Sequence, residues 1–152
     1  MKLVKESKGV WQYHLAQNEA AVLVGLLKKF PFTKIDPVKI SKTDKHLKAR
    51  EREKLLNESL AEHRKELKKL ALDLIRPDKF KQLEKGWLMT LRLEERETML
   101  QILNDIRVGS WHVLGEPDDL HAQPAKASAK DLAYRSLMDL AGYFECGLLT
   151  TE

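Results

Sequence analysis

Leu56, Leu60, His63, Leu67, Leu70 and Leu74 recur at steps of four and three residues. That spacing is a heptad seam of nearly three repeats, and it predicts a long central helix over residues 44–75. Ser41 with Asp44, or Thr43 alone, supplies a start signal, and Pro77 supplies the stop. At 1.5 Å per residue the helix would be about 48 Å long. A compact domain of this chain length is only roughly 40 Å across. The helix therefore breaks near Asn57–Ser59, protrudes from the body, or pairs along its seam with a partner chain as a homodimer. His63 sits in that seam, where a polar residue sets register and makes association sensitive to pH near neutrality.

The other elements are read around this helix. VWQYHL (10–15) alternates aromatic and β-branched residues and predicts a short strand. A helix capped by Asn18 and ended by Pro31 follows, then a proline-bearing loop over 31–42. WLMTLRL (87–93) predicts a second strand. Glu94, Glu95 and Glu97 then suit the start of a helix that runs to about Leu114 and stops at Gly115. A loop over 115–128 leads to a Ser128–Asp131 capping box and a last helix. A shift of 76 residues places Leu15 on Leu91, Glu19 on Glu95, Leu23 on Met99, Leu26 on Ile102 and Leu27 on Leu103. Each half then reads strand, helix, helix, a candidate internal repeat. The expected fold is mainly α: a single domain over 1–152, a bundle of about four helices, with two short strands able to pair as a ribbon.

Hydrophobic residues are 43% of the 152 and charged residues 33%, enough for one core under a charged surface. No apolar run approaches the roughly 20 residues of a membrane span. The amino-terminal stretch lacks the apolar segment of a signal peptide. With a lone cysteine, Cys146, these features lead to the expectation of a cytoplasmic protein without membrane contact. Cys146 can form no internal disulfide and reads as a small packed residue, its thiol chemistry depending on exposure. No metal-ligand spacing, cofactor fingerprint or catalytic motif is present, and a grouping of His112, Glu116, Asp118, Asp119 and His121 has no recognised ligand spacing. No metal, no cofactor and no enzymatic activity are expected; an enzyme with an unrecognised site is the remote alternative.

Within LNDIRVGSWHVLG (103–115), Asn104, Asp105 and Arg107 interrupt an apolar helix. At 100° per residue, Met99, Ile102, Leu103, Ile106, Ser110 and Val113 share the core face. Leu100, Asn104, Arg107 and Trp111 form a second stripe. Asp105 lies on the opposite flank, so the three polar residues make no single cluster. They are expected to tie the helix to its neighbours, with Arg107 able to stack on Trp111. Gly109 is expected to allow close approach of the last helix near Ala141 and Gly142.

MLQILNDIRVGSWHVLG and the later AYRSLMDLAGYFECGLL resemble a bacterial family, the oxidative-stress-regulator-like (AosR-like) proteins. WQYHLAQNEAAVLVGLL near the amino end is also similar to that family, whereas residues 43–80 are not. The resemblance implies a non-enzymatic regulatory protein acting through protein–protein contacts, with transcription machinery or a Clp-protease adaptor pathway as partner. It also implies that Asn104, Asp105 and Arg107 form the family motif, with Tyr134 and Leu137 as partners on the last helix. The alternative is a DNA-contacting regulator. Lys42, Lys45, Lys48, Arg50, Arg52, Lys54, Arg64, Lys65, Lys68 and Lys69 cluster on the central helix, although acidic residues interleave and the net charge is only +4. Nucleic acid is the less expected partner.

Overall fold

The computed structural model describes residues 1–31, 47–118 and 127–150. Strands β1 (Lys2–Ser7) and β2 (Val10–Leu15) form a hairpin, and β3 (Phe80–Gln82) and β4 (Trp87–Arg92) form another. The first turn is made by Lys8 and Gly9, with φ of 52° and 75°. Two such residues match the twist of the flanking strands. The hairpins join through β2 and β4 into one antiparallel sheet of order β1-β2-β4-β3. The fold is therefore mixed α and β, which corrects the expected helical bundle with a two-stranded ribbon. The two predicted strands do pair, but each carries a further strand on its outer side. Those outer strands left little trace in the sequence. KLVKES buries only Leu3, and FKQ is three residues long, so neither shows a usable alternation.

Four helices complete the chain: α1 (Gln17–Lys29), α2 (Leu47–Leu74), α3 (Leu93–Val113) and α4 (Ala129–Leu149). The cap of α1 is Ala16, two residues before the predicted Asn18. Glu19 turns back to accept the Ala16 amide at 2.7 Å. In α3, Glu95 accepts the Arg92 amide at 2.8 Å in the same way. Each glutamate thus takes up a donor that a helix start leaves free. Ser128 and Asp131 cap α4 as expected.

The two halves repeat each other at the 76-residue shift. Glu6 faces Trp11 and Gln82 faces Trp87; Lys5 faces Gln12 and Lys81 faces Leu88. Across the junction, Tyr13 faces Met89, its own counterpart in the other half. That pair marks a local two-fold relation between the hairpins of two strand–strand–helix–helix units; the second helices depart from it, because α4 packs closely along α3 while α2 makes few contacts with α1. Each unit has one more strand than the repeat expected from sequence.

Tyr13, Leu15, Met89 and Leu91 point from one sheet face into the core and are fully buried. Their neighbours Gln12, His14, Leu88 and Thr90, on the other face, are half-buried. Leu23, Leu26 and Leu27 of α1, Met99, Ile102 and Leu103 of α3, and Phe144 and Leu148 of α4 close the core. Of the expected core face of α3, Val113 alone is exposed.

Helix α2 is continuous through Asn57–Ser59, so the expected break there is absent. Its 28 residues span about 42 Å. Leu67, Ala71 and Leu74 enter the core, while none of the described side chains before Leu67 is buried. The residues named as its start signals, Ser41, Thr43 and Asp44, lie outside the described residues. Length is thus accommodated by anchoring one half of the helix and leaving Leu55, Leu56 and Leu60 of the other half exposed.

Met89→Ala, at the junction, is expected to destabilise the protein by about 2–5 kcal/mol. Tyr13→Phe should cost only about 1 kcal/mol, because it removes one hydroxyl and no packing volume. Urea unfolding midpoints measure both, and similar small losses would contradict the central place of this pair.

Candidate functional site

The polar residues of α3 reach in different directions. Asp105 Oδ1 lies 3.5 Å from Arg64 Nη2 on α2, and Arg107 Nη1 lies 3.3 Å from Glu145 Oε2 on α4. Each flank of α3 is thus clasped to a different helix. Asn104 is exposed. Arg107 pairs with Glu145 in place of the expected stacking on Trp111, whose indole Nε1 donates to the Pro117 carbonyl at 3.2 Å. Tyr134 is half-buried on α4, with the Lys130 ammonium 5.9 Å from its ring. Burial pushes the Glu145 carboxyl above its ordinary value, and Arg107 only partly offsets this. Gly109 is buried in α3. Ala141 of α4 is fully buried as well, and a Cβ at Gly142 would meet nothing within 4 Å.

The predicted seam of α2 divides. Leu67 and Leu74 are buried in the chain's own core, whereas Leu56, Leu60 and Leu70 are exposed. His63 is exposed, its Nε2 3.0 Å from the Gln101 side-chain nitrogen on α3. A continuous coiled-coil seam from Leu56 to Leu74 is therefore unavailable to a partner. Charging Leu67 would disrupt the core itself. Cys146 is exposed on α4, not packed. His112 Nδ1 and Glu116 Oε1 are 2.7 Å apart, while Asp119 and His121 lie outside the described residues. Among the described residues no group of metal-ligating side chains assembles, and no helix is long and apolar enough to cross a membrane. Of the basic residues named on the central helix, Lys42 and Lys45 lie outside the described residues. Lys54 is 3.9 Å from Glu58.

A concave surface forms elsewhere, between α1 and the β3–β4 hairpin. Gln17, Ala20, Ala21, Val24, Pro77, Phe80 and Trp87 line a predominantly apolar cleft of about 370 Å³. Its polar element is Gln17, which accepts from Trp87 Nε1 at 2.9 Å and fixes the indole as one wall. The cleft takes shape because small residues, Ala20 and Ala21, face the two large rings across a turn of helix.

The equivalent place in the other half is closed. Trp11 is the counterpart of Trp87, Arg96 of Ala20 and Leu100 of Val24. Arg96 lies 5.2 Å over the Trp11 ring. It donates to the Tyr13 hydroxyl at 3.0 Å and to the Leu148 carbonyl at 2.6 Å. Trp11, Leu100, Leu137 and Leu140 are each partly buried against the core. The α-amino group of Met1 contacts Glu19 and the Tyr143 hydroxyl. The end of α4 is thus tied to this surface through Leu148, and none of the described residues of α2 lines the other cleft. The sequence reading missed this feature. Its signal was the pair Trp11 and Trp87, which occupy the same place in the repeat.

Comparison with known protein families, curated proteins and solved structures gives no match.

The two carboxyls at the helix starts carry structural charge. Partial burial opposes ionisation of Glu95, but hydrogen bonds from Arg92 and Lys79 outweigh it and bring its pKa down to about 2. Partial burial likewise opposes ionisation of Glu19; hydrogen bonds from the Met1 amine, Tyr143 and the Ala16 amide bring it to about 2. A carboxyl held below its ordinary range stabilises the fold fully above that range. The contribution then fades as pH falls through the range and down to about 2. Glu95→Gln is therefore expected to lower the melting temperature at pH 7 and to converge with the parent protein between about pH 4.5 and 2. A constant difference across that window, followed by circular dichroism, would remove Glu95 from this role. Asp105→Asn should loosen the hold of α3 on α2 and speed hydrogen exchange of α2 amides near Arg64; unchanged exchange would count against the clasp.

Proposed function

We propose that the chain works by docking another polypeptide in the cleft between α1 and the β3–β4 hairpin. The observation that carries this reading is the asymmetry between the halves. In one half the end of α4 is tied to the Trp11–Arg96 surface through Leu148, while among the described residues nothing fills the copy lined by Ala20, Ala21, Val24, Phe80 and Trp87. Apolar concave surfaces with few polar groups are where proteins take ligands and partner segments. Trp87 supplies the large aromatic anchor that dominates such contacts.

The resemblance of α3 and α4 to oxidative-stress-regulator-like proteins adds a biological setting to this proposal. Docking would then regulate the partner, in transcription or in delivery to a protease. In this reading Asn104, Asp105 and Arg107 support the body of the protein, and the cleft makes the contact.

A photo-reactive amino acid replacing exposed Ala21, in the full chain and in cells that make it, tests the reading. A cross-linked polypeptide adduct is expected at position 21. The same probe at Glu97, the counterpart of Ala21 in the covered half, should give none. Equal labelling at both positions, or none at either, would refute docking in the cleft.

A further inference from the structure

We infer that the sheet face opposite the core binds single-stranded nucleic acid through its phosphates. This surface is separate from the cleft, because Phe80 and Trp87 have the register of the core face. Side chains alternate along a strand, so the ladder assigns each residue to a face. Tyr13, Leu15, Met89 and Leu91 mark the core face. On the other face Lys2 stands opposite His14, Lys5 opposite Gln12, Lys81 opposite Leu88 and Arg92 opposite Val10. All four of these charged residues are cations, and all four are exposed. Glu6 is the one carboxylate in the four strands, and it stands opposite Trp11, in the register of the core side. Arg92 pairs with Glu95, yet its side chain is 71% exposed. The basic stretch of α2 differs, because acids interleave there with the lysines and arginines.

The spacing of the charges favours a polymer. Lys2 and Lys81 sit in one row on the two edge strands, about 14 Å apart at the usual distance between strands. Arg92 is about 13 Å from that row along β4. Such spacing suits a chain of repeated negative charge better than a single small anion. The centre of the face selects among such chains. Gln12, His14 and Thr90 are hydrogen-bonding residues, half-buried on the two inner strands. The Lys85 carbonyl accepts from His14 Nε2 at 2.7 Å and fixes the ring. Lys5, Ser7, Val10 and Gln12 line a depression of about 110 Å³, and three of the four carry donors for a phosphate oxygen. Unpaired nucleotides present phosphates and base edges together. A duplex confines its base edges to grooves that admit a helix or a two-stranded ribbon, not a four-stranded face. A lipid surface calls for apolar or aromatic side chains that insert, whereas Val10 and Leu88 on this face are half-buried. No Phe, Tyr or Trp has the register of this face, so phosphate contacts rather than stacking carry the affinity.

The test is fluorescence anisotropy of a labelled oligouridylate, about ten nucleotides long, titrated with the full chain at several salt concentrations. Four phosphate contacts, at roughly 0.7 each on a single strand, predict a slope of log K against log salt of about −3. Lys5→Ala with Lys81→Ala should lower the affinity about twentyfold at ~0.1 M salt and flatten the slope by about 1.4. Both lysines are exposed, so circular dichroism and melting temperature should stay close to those of the parent. Lys65→Ala with Lys68→Ala, on α2, should leave affinity and slope close to those of the parent. An oligouridylate that fails to bind at low salt overturns the inference, as does an equal loss in the α2 and sheet variants. Tighter binding to a duplex of the same length overturns the single strand as ligand. Binding to phosphatidylserine vesicles or to polyglutamate, but not to the oligonucleotide, overturns nucleic acid as the polyanion. Loss confined to the sheet variant, with the flatter slope, supports the inference.

Discussion

Everything in this molecule hangs on the antiparallel pairing of β2 with β4. Each hairpin alone is a two-stranded ribbon, marginal in water. Joined at Tyr13 and Met89, the two ribbons become a four-stranded sheet with one apolar face. That face brings Tyr13, Leu15, Met89 and Leu91 into one row, and the helices after β2 and β4 fold back onto it. Without the junction, neither half has a surface large enough to bury its helices.

The same junction sets two similar hairpins side by side, and the helices around them break the likeness. Two similar units placed about a local axis present two similar clefts, each walled by a tryptophan and by the first turns of a helix. Arg96 and the end of α4 seal one. Its guanidinium over Trp11 and its hydrogen bonds to Tyr13 and Leu148 tie α4 to the sheet. At the equivalent position α1 has Ala20, which can bind no such helix end. Among the described residues nothing fills the second cleft, and α2 enters the core through Leu67, Ala71 and Leu74. Arg96, where α1 has an alanine, thus ties a helix end to the sheet in one half and not in the other.

Much of the local structure was legible in the residues. Helices α1, α3 and α4 follow from spacing and punctuation. The expected core face of α3 is buried from Met99 to Ser110. The separation of Asp105 from Arg107 around that helix also follows from its geometry, and each side chain reaches a different neighbour. The edge strands were not legible. Their pairing comes from backbone hydrogen bonds, which any side chain permits, and six residues with one buried leucine leave no periodic trace. The cleft was not legible either. Ala20, Ala21, Val24, Phe80 and Trp87 look like ordinary core candidates until the structure shows them lining a cleft.

What the sequence alone determined is the set of helices, the two inner strands and the repeat, because these depend on residues close together in the chain. Capping, turn chemistry and hydrophobic spacing act over a few residues and can be read directly. What only the tertiary structure decided is which apolar surfaces find a partner. The stripe on α2 was visible as a seam of six positions, but the division between Leu67 and Leu74 inside and Leu56 and Leu60 outside was not. Burial depends on how far the rest of the body extends along the helix, a long-range quantity that no local spacing encodes.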